Sequence, residues 1–282
     1  MNPLRIENKM PEWENNKLKH LLMLTWPIAI SMISYASMSL VDTFFVSRIS
    51  TGAIAGVGLA ITISFAILCF AFGLLRAVKV VVSQARGAGR GEDAPAYLGA
   101  GLIMATVLGI LLLTISPFIG NFLMDLSATE AAGEAAREYF VIRMLFSPAV
   151  LCYVAFREYR YGCGDSKLPM IASLAGNILN IVLDYLFIVE FGWGVAGAAW
   201  ATVAGASLEV GVMVLVDWKI LPQAMCFTRR HLKAIWEVGM PSGVQFSLEM
   251  GAFTMLAIMI SRLDEVEMAS HQVALQVIHF AF

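Results

Sequence analysis

Residues 21–46 run for 26 positions with a single charge, Asp42. At about 1.5 Å of rise per residue, such a run crosses the ~30 Å hydrocarbon core of a bilayer as one helix. Six further runs of comparable character follow, at about 53–82, 96–122, 131–156, 168–189, 195–216 and 235–260, and an eighth opens near Glu267. Each helix satisfies its own backbone hydrogen bonds, so consecutive spanning helices are the architecture such a chain can adopt in lipid. With 59% hydrophobic and 14% charged residues, the composition fits that class, since soluble domains carry roughly a quarter charged residues. The fold class expected is an all-α membrane protein.

Helix 1 recurs. Shifted by 214 positions, Pro27 falls on Pro241, Ser47-Arg48-Ile49 on Ser261-Arg262-Leu263, Ala55 on Ala269 and Ala60 on Ala274. The copy begins six helices later, an even number that returns the chain to the same side, so the two copies enter the membrane in the same direction. Parallel repeats of that kind are related by an axis along the membrane normal, with the substrate path between them. Two copies require roughly 430 residues on this logic. The sequence therefore reads as a cytoplasmic tail (1–20), a six-helix lobe (21–216), a connector (217–234), and helix 7 with a truncated helix 8 of a second lobe (235–282) in a twelve-helix transporter.

Charge sets the expected orientation. The tail and the loops after helices 2, 4 and 6 hold Arg5, Lys9, Lys17, Lys19, Arg86, Arg90, Arg157, Arg160, Lys167, Lys219, Arg229, Arg230 and Lys233. The opposite loops hold Arg48, Arg137 and Arg262. By the positive-inside rule the N-terminus is cytoplasmic, in a cell membrane. The polar first 19 residues do not have the form of a cleaved signal peptide. Ser127 and Glu130 have capping-box spacing ahead of helix 4. Cys69, Cys152, Cys163 and Cys226 are scattered and form no metal or disulfide pattern. The GAGRG stretch lacks the spacing and the Lys-Ser/Thr of a phosphate loop. No enzyme, no cofactor and no nucleic-acid partner is expected.

Acids inside spans cost roughly 2.5–3.5 kcal/mol on insertion scales and mark functional sites by default. Asp42, Asn180, Asp184 and Thr202 fall at one depth, within roughly 5 Å, in the outer half of the lobe. Two carboxylates, an amide and a hydroxyl at one level suit a proton or a Na⁺. The plainer alternative has each residue snorkelling or pairing alone. Glu249, near the middle of helix 7, is a separate candidate. Arg76 and Lys79, one turn apart on helix 2, are candidate cleft-lining cations, although both can snorkel to the nearby surface. Glu209 and Arg143 read equally well as members of structural ion pairs. His271, Gln272 and Gln276 suit interhelical hydrogen bonds.

Taken jointly, several segments resemble the multidrug and toxin extrusion (MATE) family of cation-coupled efflux transporters. They are Val41-Asp42-Thr43, SQARGAG (83–89), GDSKLPM (164–170), NILNIVLDY (177–185), GVAGAAWAT (194–202), the helix of Pro241 and Glu249, and ASHQVALQ (269–276). The resemblance implies two six-helix lobes around a V-shaped cleft, and export of organic, often cationic compounds in exchange for H⁺ or Na⁺. It implies a cation site at Asp42, Asn180, Asp184 and Thr202, a second acid at Glu249, and a bending proline at Pro27. Arg76 and Lys79 depart from the family, which usually has small or apolar residues there. The expected function is a secondary antiporter acting on small organic substrates among membrane lipids. Two alternatives remain open: a non-transporting truncated membrane protein or assembly partner, and a related flippase of lipid-linked precursors.

Overall fold

The computed structural model describes residues 17–127 and 129–260. The tail before Lys17 and the expected helix 8, with His271, Gln272 and Gln276, lie outside the described residues. In order, the helices are α1 (Lys17–Ser47), α2 (Thr51–Gly87), α3 (Ala94–Leu126), α4 (Glu130–Leu145), α5 (Ser147–Gly162), α6 (Lys167–Asp184), α7 (Gly194–Asp217), α8 (Leu221–Ala224) and α9 (Arg229–Ile260). Among the described residues, five helical stretches are long and apolar enough to cross a membrane, or six if the bent pair α4–α5 counts as one span. Their outward faces carry large apolar side chains such as Met32, Ile33, Ile110 and Phe118. A surface of this kind is stable against lipid tails rather than water.

Three expectations need correction. The single helix expected over 131–156 is two arms, α4 and α5, meeting at Phe146 with a 54° bend. Pro148 accounts for the break: it has no N–H to continue the ladder and is tolerated only in the first turn of α5. Ser147 Oγ then donates to the Gly109 carbonyl at 2.9 Å, tying the break to α3. Because α5 runs on to Gly162, Arg157 and Arg160 belong to its last turns and not to a loop. The N-cap of α4 is Thr129, whose hydroxyl accepts from Ala132 N at 3.3 Å, while Ser127 donates back to the Leu123 carbonyl at 2.7 Å. Finally, α9 begins at Arg229, so the expected connector is mostly helical, through α8 and the first turns of α9.

Around α2 pack α4, α5 and α9, while α6 and α7 form a tight pair with α1 laid against α6. Glycines set both close approaches. A Cβ on Gly205 of α7 would lie 2.7 Å from the Gly176 carbonyl oxygen of α6, so the two backbones touch. On the other side, a Cβ on Gly73 of α2 would lie 2.6 Å from Gly243 Cα of α9. Small residues at a helix interface are what lets lipid-embedded helices gain packing energy, because burial of apolar surface supplies little drive there. Pro27 and Pro241 each lie inside a long helix, α1 and α9, so the paired prolines of the repeat share a context.

One end of the bundle is clamped by charge. Arg160 of α5 forms a forked ion pair with Asp217, the last residue of α7, and reaches Asp165 at 3.2 Å. Asp217 is fully buried. Arg86 at the end of α2 donates to the Cys163 carbonyl in the same corner.

Candidate functional site

Four residues expected at one level are brought together by packing. Asp42 comes from α1, Asn180 and Asp184 from one face of α6, a turn apart, and Thr202 from α7. With its amide oriented to satisfy both sides, Asn180 donates to Asp42 Oδ1 at 3.0 Å and accepts from the Thr202 backbone N–H at 3.1 Å. The Asp42 and Asp184 carboxyls are close enough for each to act on the other. Asp42, Asn180 and Asp184 are all buried, and Asp184 Oδ1 has no hydrogen-bond donor among the described residues. Thr202 contributes its backbone; its hydroxyl donates to the Ala198 carbonyl one turn back at 3.0 Å. Two carboxyls this close together away from water are compatible only when a proton or a cation sits between them.

Directly after Asp184 the α-helix widens into a π-helical turn, Tyr185–Glu190. The Phe191 N–H reaches back to the Leu186 carbonyl at 2.9 Å. Turns of this kind occur mostly at functional positions, where the extra residue re-aims the neighbouring side chains. Nothing in the apolar pattern of 168–189 signalled it.

Beside the acids lies a cavity of about 390 Å³. Asn180 and Thr202 belong to its wall, whereas Asp42 and Asp184 stand behind them. The broken helix supplies much of the rest, with Arg143 on one arm and Tyr153 and Arg157 on the other. Phe65 and Phe72 of α2 provide an apolar side. Glu209 of α7 completes the charged set, and Tyr35 of α1 donates to its Oε1 at 2.6 Å. A second polar tie between α1 and α6 runs from Asn177 Nδ2 to Ser34 Oγ at 2.6 Å. Tyr35 and Tyr153 were not among the sequence candidates, and Arg157 was counted as a loop charge. Only the i, i+7 spacing of Tyr35 and Asp42, two turns apart on one face, could have pointed to the first of them.

The remaining candidates lie elsewhere. Arg76 stacks its guanidinium over Phe246 of α9, 4.8 Å from the ring centroid. Lys79 pairs with the buried Glu158 of α5 at 3.6 Å. Neither is part of the cavity wall. Glu249 stands exposed on α9 and is not part of the cavity wall. Pro27 lies within α1, with the Ser31 hydroxyl donating to its carbonyl at 3.0 Å.

Comparison with known proteins gives concordant matches. A family model described as MatE matches residues 27–186. A protein described as probable multidrug resistance protein NorM, from Pseudomonas syringae pv. tomato, is 30% identical over 93% of this chain and 60% of its own length. Multidrug resistance protein NorM of Vibrio cholerae is 28% identical over 91% of this chain and 59% of its own. A solved structure, described as the outward-facing conformation of a multidrug resistance MATE family transporter of the MOP superfamily, superposes with a TM-score of 0.82 at 25% identity. That match covers 93% of this chain and 62% of the other. The chain thus spans about 60% of the length of the relatives it matches.

Proposed function

This chain belongs to the MatE family, and on that premise we propose that it forms one lobe, and the opening of a second, of an antiporter that exports organic compounds in exchange for H⁺ or Na⁺. The observation that carries the reading is the meeting of Asp42, Asn180 and Asp184 from two helices in one buried cluster that shares its wall with the cavity. The cation binds between the two carboxyls. Asn180 orients Asp42, and the Thr202 backbone holds the amide in place. A half-turn of that amide brings its oxygen to Asp42, the arrangement a Na⁺ shared among oxygens needs and a proton does not.

Tertiary polar ties of α1 include Ser34 to Asn177, Tyr35 to Glu209 and Asp42 to Asn180. Neutralising the acid pair weakens the last of these and changes how firmly the outer half of α1 is held. Pro27, below all three, is the place where the helix can bend. Cation binding thereby shifts the balance between two arrangements of the cavity wall, and the compound leaves from one of them. The N-terminus lies on the cytoplasmic side, and Glu249 serves the second lobe.

The test uses the purified chain in lipid nanodiscs. Tryptophan fluorescence is titrated with Na⁺ at fixed pH, and with pH at fixed Na⁺. Asp42→Asn and Asp184→Asn are each expected to abolish the response while circular dichroism stays unchanged. A response identical to wild type in both variants would remove the cation site.

A further inference from the structure

The charged side chains on the cavity wall are two guanidiniums and one carboxylate: Arg143, Arg157 and Glu209. The broken helix presents the two arginines one on each arm, 14 residues apart, or at most about 21 Å along the two arms. Arg157 is bonded along one edge only. Its Nε and Nη2 donate to Glu158 Oε1 at 3.3 and 2.9 Å, and no hydrogen bond from Nη1 is made to the described residues. Glu158 also holds Lys79 at 3.6 Å, so one carboxylate is divided between two cations. Glu209, the acid on the wall, accepts from the Tyr35 hydroxyl and is close enough to feel the Arg157 charge, but makes no direct ion pair with it among the described residues. The apolar part of the wall sets Phe65, Phe72 and Phe146 among aliphatic side chains such as Ile61, Leu68 and Val203.

A guanidinium with a spare edge in an apolar cavity is costly unless an anion meets it, and a carboxylate is its best geometric match. We infer that Arg157 makes this cavity a site for amphipathic organic acids: compounds with a flat apolar body against the phenylalanines and one acidic group on the Arg157 Nη1 edge. The volume of about 390 Å³ is within the drug-sized range. This rests on the cavity being where the exported compound sits, and it gives that compound a class. Arg143 is the weaker candidate for the acid-reading role, because one of its nitrogens donates to the Tyr139 hydroxyl at 2.9 Å and its guanidinium lies over the same ring.

The probes are dansylglycine and its methyl ester, which share the fluorescent ring and differ in the carboxylate. Binding to the chain in nanodiscs of zwitterionic lipid is read at constant pH and salt, with no gradient, so both probes meet the same occupancy of the cation site. The wild type is expected to bind the acid about tenfold or more tighter than the ester. Arg157→Gln is expected to remove that preference by weakening the acid while leaving the ester unchanged, and Arg157→Lys to restore part of it. The wild-type comparison needs no variant, so a misfolded Arg157→Gln leaves the test intact. Equal binding of acid and ester overturns the acid preference while keeping the cavity as a ligand site. Binding of neither overturns the cavity reading as well. A preference that survives in a folded Arg157→Gln overturns the role of Arg157.

Discussion

Tyr35 of α1 donates a 2.6 Å hydrogen bond to Glu209 of α7, joining residues 174 positions apart. Both side chains line the cavity, and the bond ties α1 to α7. Tyr35→Phe should leave the buried carboxylate without this donor, at a cost of about 1.5–3 kcal/mol. A lower midpoint of thermal unfolding, with faster hydrogen exchange confined to α1, is the expected result.

Asn180 stands between Asp42 and the Thr202 backbone, bonded to both. Asn180→Leu keeps the volume and removes both hydrogen bonds. Losing an outer partner of a cation ligand costs 10–100-fold in affinity in comparable sites. The cation-dependent tryptophan response of the variant should move to about 10–100-fold higher Na⁺, or H⁺, than in the wild type.

The α6–α7 contact has no room for a methyl group at Gly205, where a Cβ would lie 2.7 Å from the Gly176 carbonyl oxygen and 3.2 Å from Asn180 Cβ. Backbone cannot yield as a flexible side chain can. Gly205→Ala should therefore destabilise by about 1–3 kcal/mol and shift the cation response with it. Gly211→Ala, on the same helix, meets open space and should be neutral or slightly stabilising. Thermal unfolding of the two variants side by side makes the comparison.

At the clamped end, Asp217 is fully buried against Arg160, whereas the Asp165 side chain is 35% exposed. Asp217→Asn leaves a buried guanidinium without its main counter-charge and should cost about 3–5 kcal/mol. Asp165→Asn keeps an acceptor for the Lys167 and Leu168 N–H groups and should cost less than about 1 kcal/mol. Denaturation in mild detergent separates the two.

Much of this molecule is written locally. Uncharged runs of about 26 residues specify spanning helices whatever surrounds them, because backbone polar groups in lipid must be satisfied within the segment. Helix rise alone brought Asp42, Asn180, Asp184 and Thr202 to one depth, since depth depends only on the count of residues from a span's end. Depth does not determine which way a side chain points around its helix. The Asn180 bridge to Asp42 and the Tyr35–Glu209 tie required α1, α6 and α7 to be packed against one another, with Gly176 and Gly205 letting α6 and α7 close up. Arg157 was misread as a loop charge because the break at Pro148 bends the fourth span instead of ending it, and carries α5 on to Gly162. Sequence thus determined the class, the helices and the level of the acids. Which groups meet, and that one of them is a half-paired guanidinium facing a cavity, was decided by tertiary packing, because rotation about a helix axis is set by the neighbour's surface and not by the helix's own residues.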